Sequence, residues 1–391
     1  MSWPTVRLDE CTRVVGGATP STSVTENWDG EINWATPKDL SDLDSIYISQ
    51  TPRKITEVGL KSCAAEVLPT GSVLFSSRAP IGHVAITTAP MATNQGFKSF
   101  IPNTTLVTAG YLYWWLKANR RFLEGLGNGA TFKEVSKAVV SRVQIPLPPL
   151  DEQRRIAAIL DQADALRRKR RDHASRIAAL VSAKFQAMFG DPIGTKLLHP
   201  AVELASLIDP SRPITYGILK PGPDLPNGVP YVRVVDIKDG RVLTDQLRCT
   251  SPEIAHQYRR STLRTGDVLM SIRGHVGRMA LVPPEAAGAN ITQDTARLAI
   301  VGANPIFVRA LMEHPLSKRW MAERTRGIAV QGINLGDLKK FPVLVPPKRE
   351  QDNFAEFYKE VQLNRSAGDI QLAHLDALFA SLQHRAFRGE L

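Results

Sequence analysis

The sequence predicts a mixed α/β protein: two tandem α/β domains, separated and followed by long helices that pair as an antiparallel coiled coil about an approximate two-fold axis. Three observations carry this prediction. Apolar residues recur at helical spacing from Ile156 to Ala187, a run too long for a helix buried by one small domain. A second run of the same design follows Pro346 and Pro347. The residues ahead of each run repeat one plan at offsets of 195 to 198 residues. The segments are 1–150, a first α/β domain; 151–190, a central helix; 191–347, a second α/β domain; and 348–391, a second helix.

The central helix is framed by prolines. Pro146, Pro148 and Pro149 end whatever precedes it, because proline lacks a backbone N–H and drives the residue before it out of the α region. Asp151 is expected as N-cap, and Glu152 suits the positive end of the helix. Ile156, Ile159, Ala163, Leu166, Ile177, Leu180 and Ala187 form a stripe with three- and four-residue steps, the pattern of a helix packed along another. Gly190, Asp191 and Pro192 stop it. At ~1.5 Å per residue its length is on the order of 55 Å, which requires a partner helix.

That partner lies in the same chain. Pro148, Pro149, Glu152 and Gln153 match Pro346, Pro347, Glu350 and Gln351, and the same offset of 198 takes Ile156 to Phe354, Ile159 to Phe357, Leu180 to Leu378 and Phe189 to Phe387. Both stripes fade at the same height, at Arg170 and His173 in one and Gly368 and Gln371 in the other.

In the first domain, residues 71–75 and 83–86 read as two strands around the loop 76–82. Gly110 to Leu126 reads as one helix with Tyr111, Leu112, Trp115, Leu116 and Phe122 on its buried side, and Val139 to Leu147 as a returning strand. The second domain repeats the plan. Gly71-Ser72-Val73-Leu74 pairs with Gly266-Asp267-Val268-Leu269, Arg78 and Gly82 with Arg273 and Gly277, and 36–40 with 233–237. Asn94-Gln95-Gly96 pairs with Thr292-Gln293-Asp294. Tyr111, Tyr113, Trp114 and Trp115 lie at helical spacing and read as core and subunit interface rather than as a platform for stacked bases.

Composition narrows the function. Length (391 residues) implies two or more domains, and 43% apolar residues is ordinary for a globular chain. Cys11, Cys63 and Cys249 are far apart and show neither zinc spacing nor a disulfide framework, which suits a reducing cytoplasm. The first ten residues lack an apolar signal core, and no run of ~18 apolar residues occurs. A net charge of +11, from 49 basic and 38 acidic residues, favours a polyanionic partner such as nucleic acid. Two basic domains held a fixed distance apart by a helical spacer suit the reading of a split DNA site.

The layout, and the stretch Ile145-Pro146-Leu147-Pro148-Pro149-Leu150-Asp151-Glu152-Gln153-Arg154-Arg155-Ile156, resemble the specificity subunit of type I restriction-modification systems. The resemblance covers nearly the whole chain. Its specific signal is the Pro-Pro-x-x-Glu-Gln helix start, present twice; the Gly-x-Val-Leu strand is a weaker one. The second helix departs from a coiled-coil seam at Asn364, Gly368 and Gln371. The resemblance implies a subunit without catalysis, in which each α/β domain is a target-recognition domain reading one half of a bipartite site on double-stranded DNA. It implies that the helices bind two modification subunits, which carry S-adenosylmethionine and methylate adenine. Restriction subunits using ATP and Mg would join that complex.

The motifs agree with a chain that borrows its enzyme. Pro148-Pro149, Pro283-Pro284 and Pro346-Pro347 are followed by Leu150, Glu285 and Lys348, so none forms the Asp/Asn-Pro-Pro-aromatic loop of an adenine methyltransferase. No phosphate loop, His-Glu-x-x-His or Cys-x-x-Cys occurs, and no cofactor or metal is expected in this chain. One pattern points elsewhere. Asp224, Asp236 and Lys238 fit the loose spacing of a self-sufficient Mg-dependent endonuclease, with two carboxylates on the metal and lysine orienting a water.

Candidate DNA contacts follow the repeat. Arg78 and Arg273 occupy equivalent strand-to-strand loops, where arginine can read guanine O6 and N7; the alternatives are a carboxylate partner or phosphate alone. Gln95 and Gln293 suit adenine, or else satisfy local backbone. His83, His275 and Arg278 flank the same loops, as contacts or as solvated strand ends. Lys133 and Gln331 occupy matched places in the glycine-flanked segments 129–137 and 327–339 and are expected at backbone or groove. The run Arg167, Arg168, Lys169, Arg170 and Arg171 either follows the phosphates between half-sites or is a solvated face paired with Asp164 and Asp172.

Overall fold

The structure, a computed structural model, describes residues 3–78, 80–129, 133–194, 197–327 and 331–391. It divides into two compact units, residues 1–169 with 372–391 and residues 170–371. Both are built from the same parts, in the mixed α/β class.

In the first unit a five-stranded sheet runs in the order Thr12–Gly16, Lys98–Pro102, Val73–Phe75, Val84–Thr87 and Tyr47–Ile48. All neighbours are antiparallel except the last pair. Val73, Leu74 and Phe75 are all fully buried, so this strand is covered on both faces, as its unbroken apolar run requires. A three-stranded sheet, Lys54–Ile55, Trp28–Ala35 and Met91–Thr93, has its second pair parallel. The second unit matches: Val268–Ser271 pairs antiparallel with Met279–Leu281, and Val229–Val232 pairs parallel with Asn290–Ile291.

Each domain closes through a two-stranded ribbon just before a long helix. Thr5–Arg7 pairs with Gln144–Pro146, and Ala201–Glu203 with Pro342–Leu344. The prolines then release the chain into helices Leu150–Phe189 and Lys348–Ala386. Asp151 is not the N-cap. The helix begins one residue earlier, Gln153 N donates to the Pro149 carbonyl, and the Asp151 side chain accepts from Arg154 instead. The motif glutamines anchor the first turns of both helices. Buried Gln153 accepts from Thr108 N and donates to the Leu106 and Pro148 carbonyls, each at 2.8 Å. Buried Gln351 accepts from Asn304 N and donates to the Pro346 carbonyl, again at 2.8 Å.

The helices pair within each unit. In the first, Arg155 Nη2 donates to the Leu391 carbonyl at 2.7 Å and Arg167 Nε to Asp376 at 2.6 Å, so one segment ascends as the other descends. In the second, Phe185 and Phe189 meet Phe354 with ring centroids 5.4 and 5.6 Å apart, and Phe307 completes the cluster. Each such buried ring contributes about 2–3 kcal/mol.

Several local expectations are corrected. Of the expected stripe only Ile156 is fully buried; Ile159, Ala163 and Ile177 are half-buried, Leu166 and Leu180 are each 54% exposed and Ala187 is exposed too, while the buried face at the helix ends is Ile156, Ala157, Leu160, Phe185 and Phe189. The ends of the helix pack into the cores of the units, and Leu166 and Leu180 do not. Residues 110–126 are two helices, Ala109–Ala118 and Arg120–Gly125, because Asn119 ends one and begins the next; its side chain donates to the Trp115 carbonyl. The break turns Phe122 outward and buries Leu123. Val139–Ser141 belongs to the helix Lys137–Ser141, capped by Ser136, and the strand begins at Gln144. Tyr111, Tyr113, Trp114 and Trp115 are buried in the core.

Candidate nucleic-acid interface

Three chain segments are laced together at one end of the main sheet in each unit. In the first, Ser76 Oγ closes the turn after Val73–Phe75: it donates to the Pro80 carbonyl at 2.7 Å and accepts from His83 N at 2.8 Å. Gly82 sits at φ +94°, and a Cβ there would press on Arg120, so the position requires glycine. Ser77 N donates to the Gly96 carbonyl at 2.7 Å, and Val135 N to the Ser77 carbonyl at 2.9 Å. Arg78, Gln95 and Lys133 are thereby gathered from three segments. The tip of the third, 130–132, and residue 79 of the first lie outside the described residues.

The second unit is laced alike. Ser271 Oγ donates to the His275 carbonyl and accepts from Arg278 N at 2.9 Å. Ile272 N donates to Asp294 O at 2.8 Å, Ile333 N to Ile272 O at 2.9 Å, and Gly274 N to Gln331 O at 2.8 Å. Arg273, His275, Arg278, Gln293 and Gln331 share this cluster; residues 328–330 lie outside the described ones. A hollow of about 340 Å³ opens beside it, with Lys318, Thr325 and Gln331 among its lining.

The two clusters differ in charge. Glu134 reaches Lys98 at 3.1 Å and Arg78 at 4.0 Å, so Arg78 takes the carboxylate alternative. The matching bridge in the second unit has Gly332 in place of Glu134, and Arg273 Nη1 reaches Gln293 Oε1 at 3.4 Å. Gln95 is exposed, with the Thr19 hydroxyl donating to it. Burial, then the nearby Arg120 and Lys117, push the His83 pKa below its ordinary 6.5. Both causes favour the neutral form of His83, which can offer a hydrogen bond but no charge. His275, Arg278, Lys133 and Gln331 are exposed.

The basic run of the central helix is partly engaged. Arg167 pairs with Asp164 and Asp376 and lies 4.1 Å over the Phe379 ring; Arg168 pairs with Asp164 and donates to the Asp44 carbonyl. Lys169 and Arg171 are exposed, and Arg170 is half-buried.

The nuclease pattern is overturned. Asp236 is 5% exposed and caps the turn Val234–Asp236, accepting from Arg233 N at 2.8 Å, Nε at 2.9 Å and Nη2 at 2.8 Å. Its repeat mate Asp39 caps Pro37–Ser41 in the same way through Thr36. Asp224 accepts from Cys249 N at 2.8 Å, and Lys238 is exposed. Both carboxylates hold backbone, and the described residues contain no group of three or more metal-ligating side chains.

Sequence reasoning missed Glu134, because its pairing with Arg78 spans 56 positions and nothing local marks it. It also missed the serines closing the turns, although Ser76 and Ser271 hold equal places in the repeat.

Two α/β units with laced loops, each including part of two paired long helices, define the class: a duplicated α/β protein with long helices. Similarity to known proteins specifies it. Residues 2–174 match the family described as type I restriction modification DNA specificity domain. The specificity subunit of the type I restriction enzyme MjaIX of Methanocaldococcus jannaschii is 42% identical over 166 residues, 42% of this chain and 38% of that protein. That of EcoBI of Escherichia coli is 32% identical over 298 residues, 68% of this chain and 62% of that protein. The chain thus spans about two-fifths and three-fifths of these relatives. A chain from a structure describing complex assembly and conformational transition of the type I R-M system superimposes with a TM-score of 0.55 at 20% identity, covering 100% of this chain and 98% of that one. The type I restriction-modification S subunit from M. genitalium gives 0.55 at 14%, covering 99% and 96%. These two likenesses establish the fold. Over the matched segments the chain is similar to type I restriction-modification specificity subunits.

Proposed function

We propose that this chain is the DNA sequence-specificity subunit of a type I restriction-modification complex in the cytoplasm. The recognition domains, 1–150 and 191–347, each read one half of a bipartite site. The helices 151–190 and 348–391 set the gap and dock two adenine-methylating subunits. Methyl transfer with S-adenosylmethionine, and cleavage with ATP and Mg, belong to partner subunits; this chain contributes no catalytic group. The observation that carries the reading is the duplication of one laced three-segment cluster on unlike side chains. One scaffold held twice, with Arg78, Gln95 and Lys133 in one copy and Arg273, Gln293 and Gln331 in the other, suits two different half-sites. His83, His275 and Arg278 are proposed as flanking contacts. The run Arg167, Arg168, Lys169, Arg170 and Arg171 is proposed to follow phosphates of the unread gap, with Arg167 and Arg168 also bracing the helix.

The test is a map of methylated adenines in a methylation-free host carrying this gene with its neighbours. A split motif is expected, lost when this gene alone is deleted. Exchanging residues 1–150 for another recognition domain is expected to alter one half only. An unaltered motif after deletion would sink the proposal.

A further inference from the structure

We infer that Arg53, held over the ring of Trp28, is a guanine-reading residue of the first recognition domain; the inference rests on the function proposed above. Trp28 and Trp34 lie on one strand, Trp28–Ala35, whose register shifts between Trp28 and Ile32. Their rings meet edge to face at 5.0 Å. The Arg53 guanidinium carbon lies 3.8 Å from the Trp28 ring centroid and 5.1 Å from that of Trp34. The backbone beneath it is fixed, since the Arg53 carbonyl accepts from Trp34 N at 3.2 Å and from the Thr51 hydroxyl at 2.7 Å.

No hydrogen bond or carboxylate engages the Arg53 side chain among the described residues, although neighbouring arginines do find acids: Arg13 with Glu66, Arg78 with Glu134. Arg53 is exposed. An arginine stacked on an indole keeps its plane and turns its N–H fork outward, with less freedom to lose on binding. That fork matches guanine O6 and N7.

The stack also adjoins the laced cluster. Trp34 Nε1 donates to the Ala18 carbonyl at 3.1 Å, Ala18 N donates to the Thr93 carbonyl at 2.9 Å, and the next residue, Thr19, donates to Gln95. At the repeat offset of 197, the second unit holds Leu225 and Tyr231 in place of Trp28 and Trp34, and strand pairing sets Arg248 opposite Tyr231 as Arg53 is set opposite Trp34. The pair of indoles therefore belongs to the first unit.

The test uses the full chain assembled with its modification subunits, wild type and with Arg53→Ala, Arg53→Lys or Trp28→Leu. DNA from a methylation-free host is the substrate, and methylated adenines are mapped. Both Arg53 variants are expected to lose roughly 10- to 100-fold discrimination at one guanine of the half read by residues 1–150, leaving the other half intact. Trp28→Leu is expected to relax the same position less. A wild-type motif from Arg53→Lys, which keeps the charge but not the fork, overturns the inference. So does uniform weakening at every site with a shallower salt dependence, the mark of a phosphate contact. Absence of any split motif from the wild-type complex fails the parent reading first, and the inference with it.

Discussion

At the scale of single residues, repeated positions carry two kinds of work. Asp236 and Asp39 are caps, and a cap leaves the same short sequence trace as a metal ligand. Asp236→Ala removes three bonds to Arg233 and strands a guanidinium that is 29% exposed. The expected cost is about 2 kcal/mol of stability by urea denaturation, with no DNA cleavage by either form in Mg²⁺. Mg-dependent cleavage by the wild type, lost in the variant, would revive the nuclease. Arg78 shows the opposite problem. Its loop and the nearby glycine are visible in the sequence, but the acid that holds it arrives from a segment beyond two helices. Long-range ion pairs of this kind have no periodicity and leave no local signature.

At the scale of elements, the long helices were legible because their apolar repeat is long and their first turns are marked by proline. The heights at which they touch anything were not, because burial depends on which domain sits beside each turn. Hence Leu166 and Leu180 fit the period and still face solvent. The paired glutamines were visible as a repeat, but their role needed the structure. Gln153→Ala would leave Thr108 N and the Leu106 and Pro148 carbonyls without partners, costing roughly 2–4 kcal/mol, while Gln351→Ala breaks two bonds and costs less. Chemical denaturation gives the ranking, and faster hydrogen exchange at the Thr108 amide locates the damage. Equal costs would argue against the bond count. Matching seven-residue insertions after Lys169 and after Gln371, where the chain passes between units, are expected to lengthen the gap in the methylated motif and leave both halves unchanged. A change within either half would show that the helices help to read the site.

At the scale of the whole chain, each unit holds a histidine with a depressed pKa: half-buried His83, through desolvation and then Arg120 and Lys117, and buried His314, through desolvation. Unfolded, each titrates near 6.5. The unfolded chain therefore takes up protons first as pH falls, and the folded state loses stability from about pH 6.5 down through the depressed folded values. Melting temperature is expected to drop over that window, less steeply in His83→Gln or His314→Gln. A flat profile through it would remove the histidines from the stability account. None of the described helices is long and apolar enough to cross a membrane.

The first unit draws its core from both arms of the chain: Ile156 and Leu160 pack with Phe379 and Ala386. Everything from Arg170 to Gln371 is thus an insertion within it. On the ribosome the domain begun first is completed last. At ~5–20 residues per second, its hydrophobic face waits roughly 10–40 s for the closing strut, while the inserted unit can already fold. The domain at the N-terminal side is therefore the one most in need of a chaperone, and the one whose synthesis a late nonsense codon would leave unfinished.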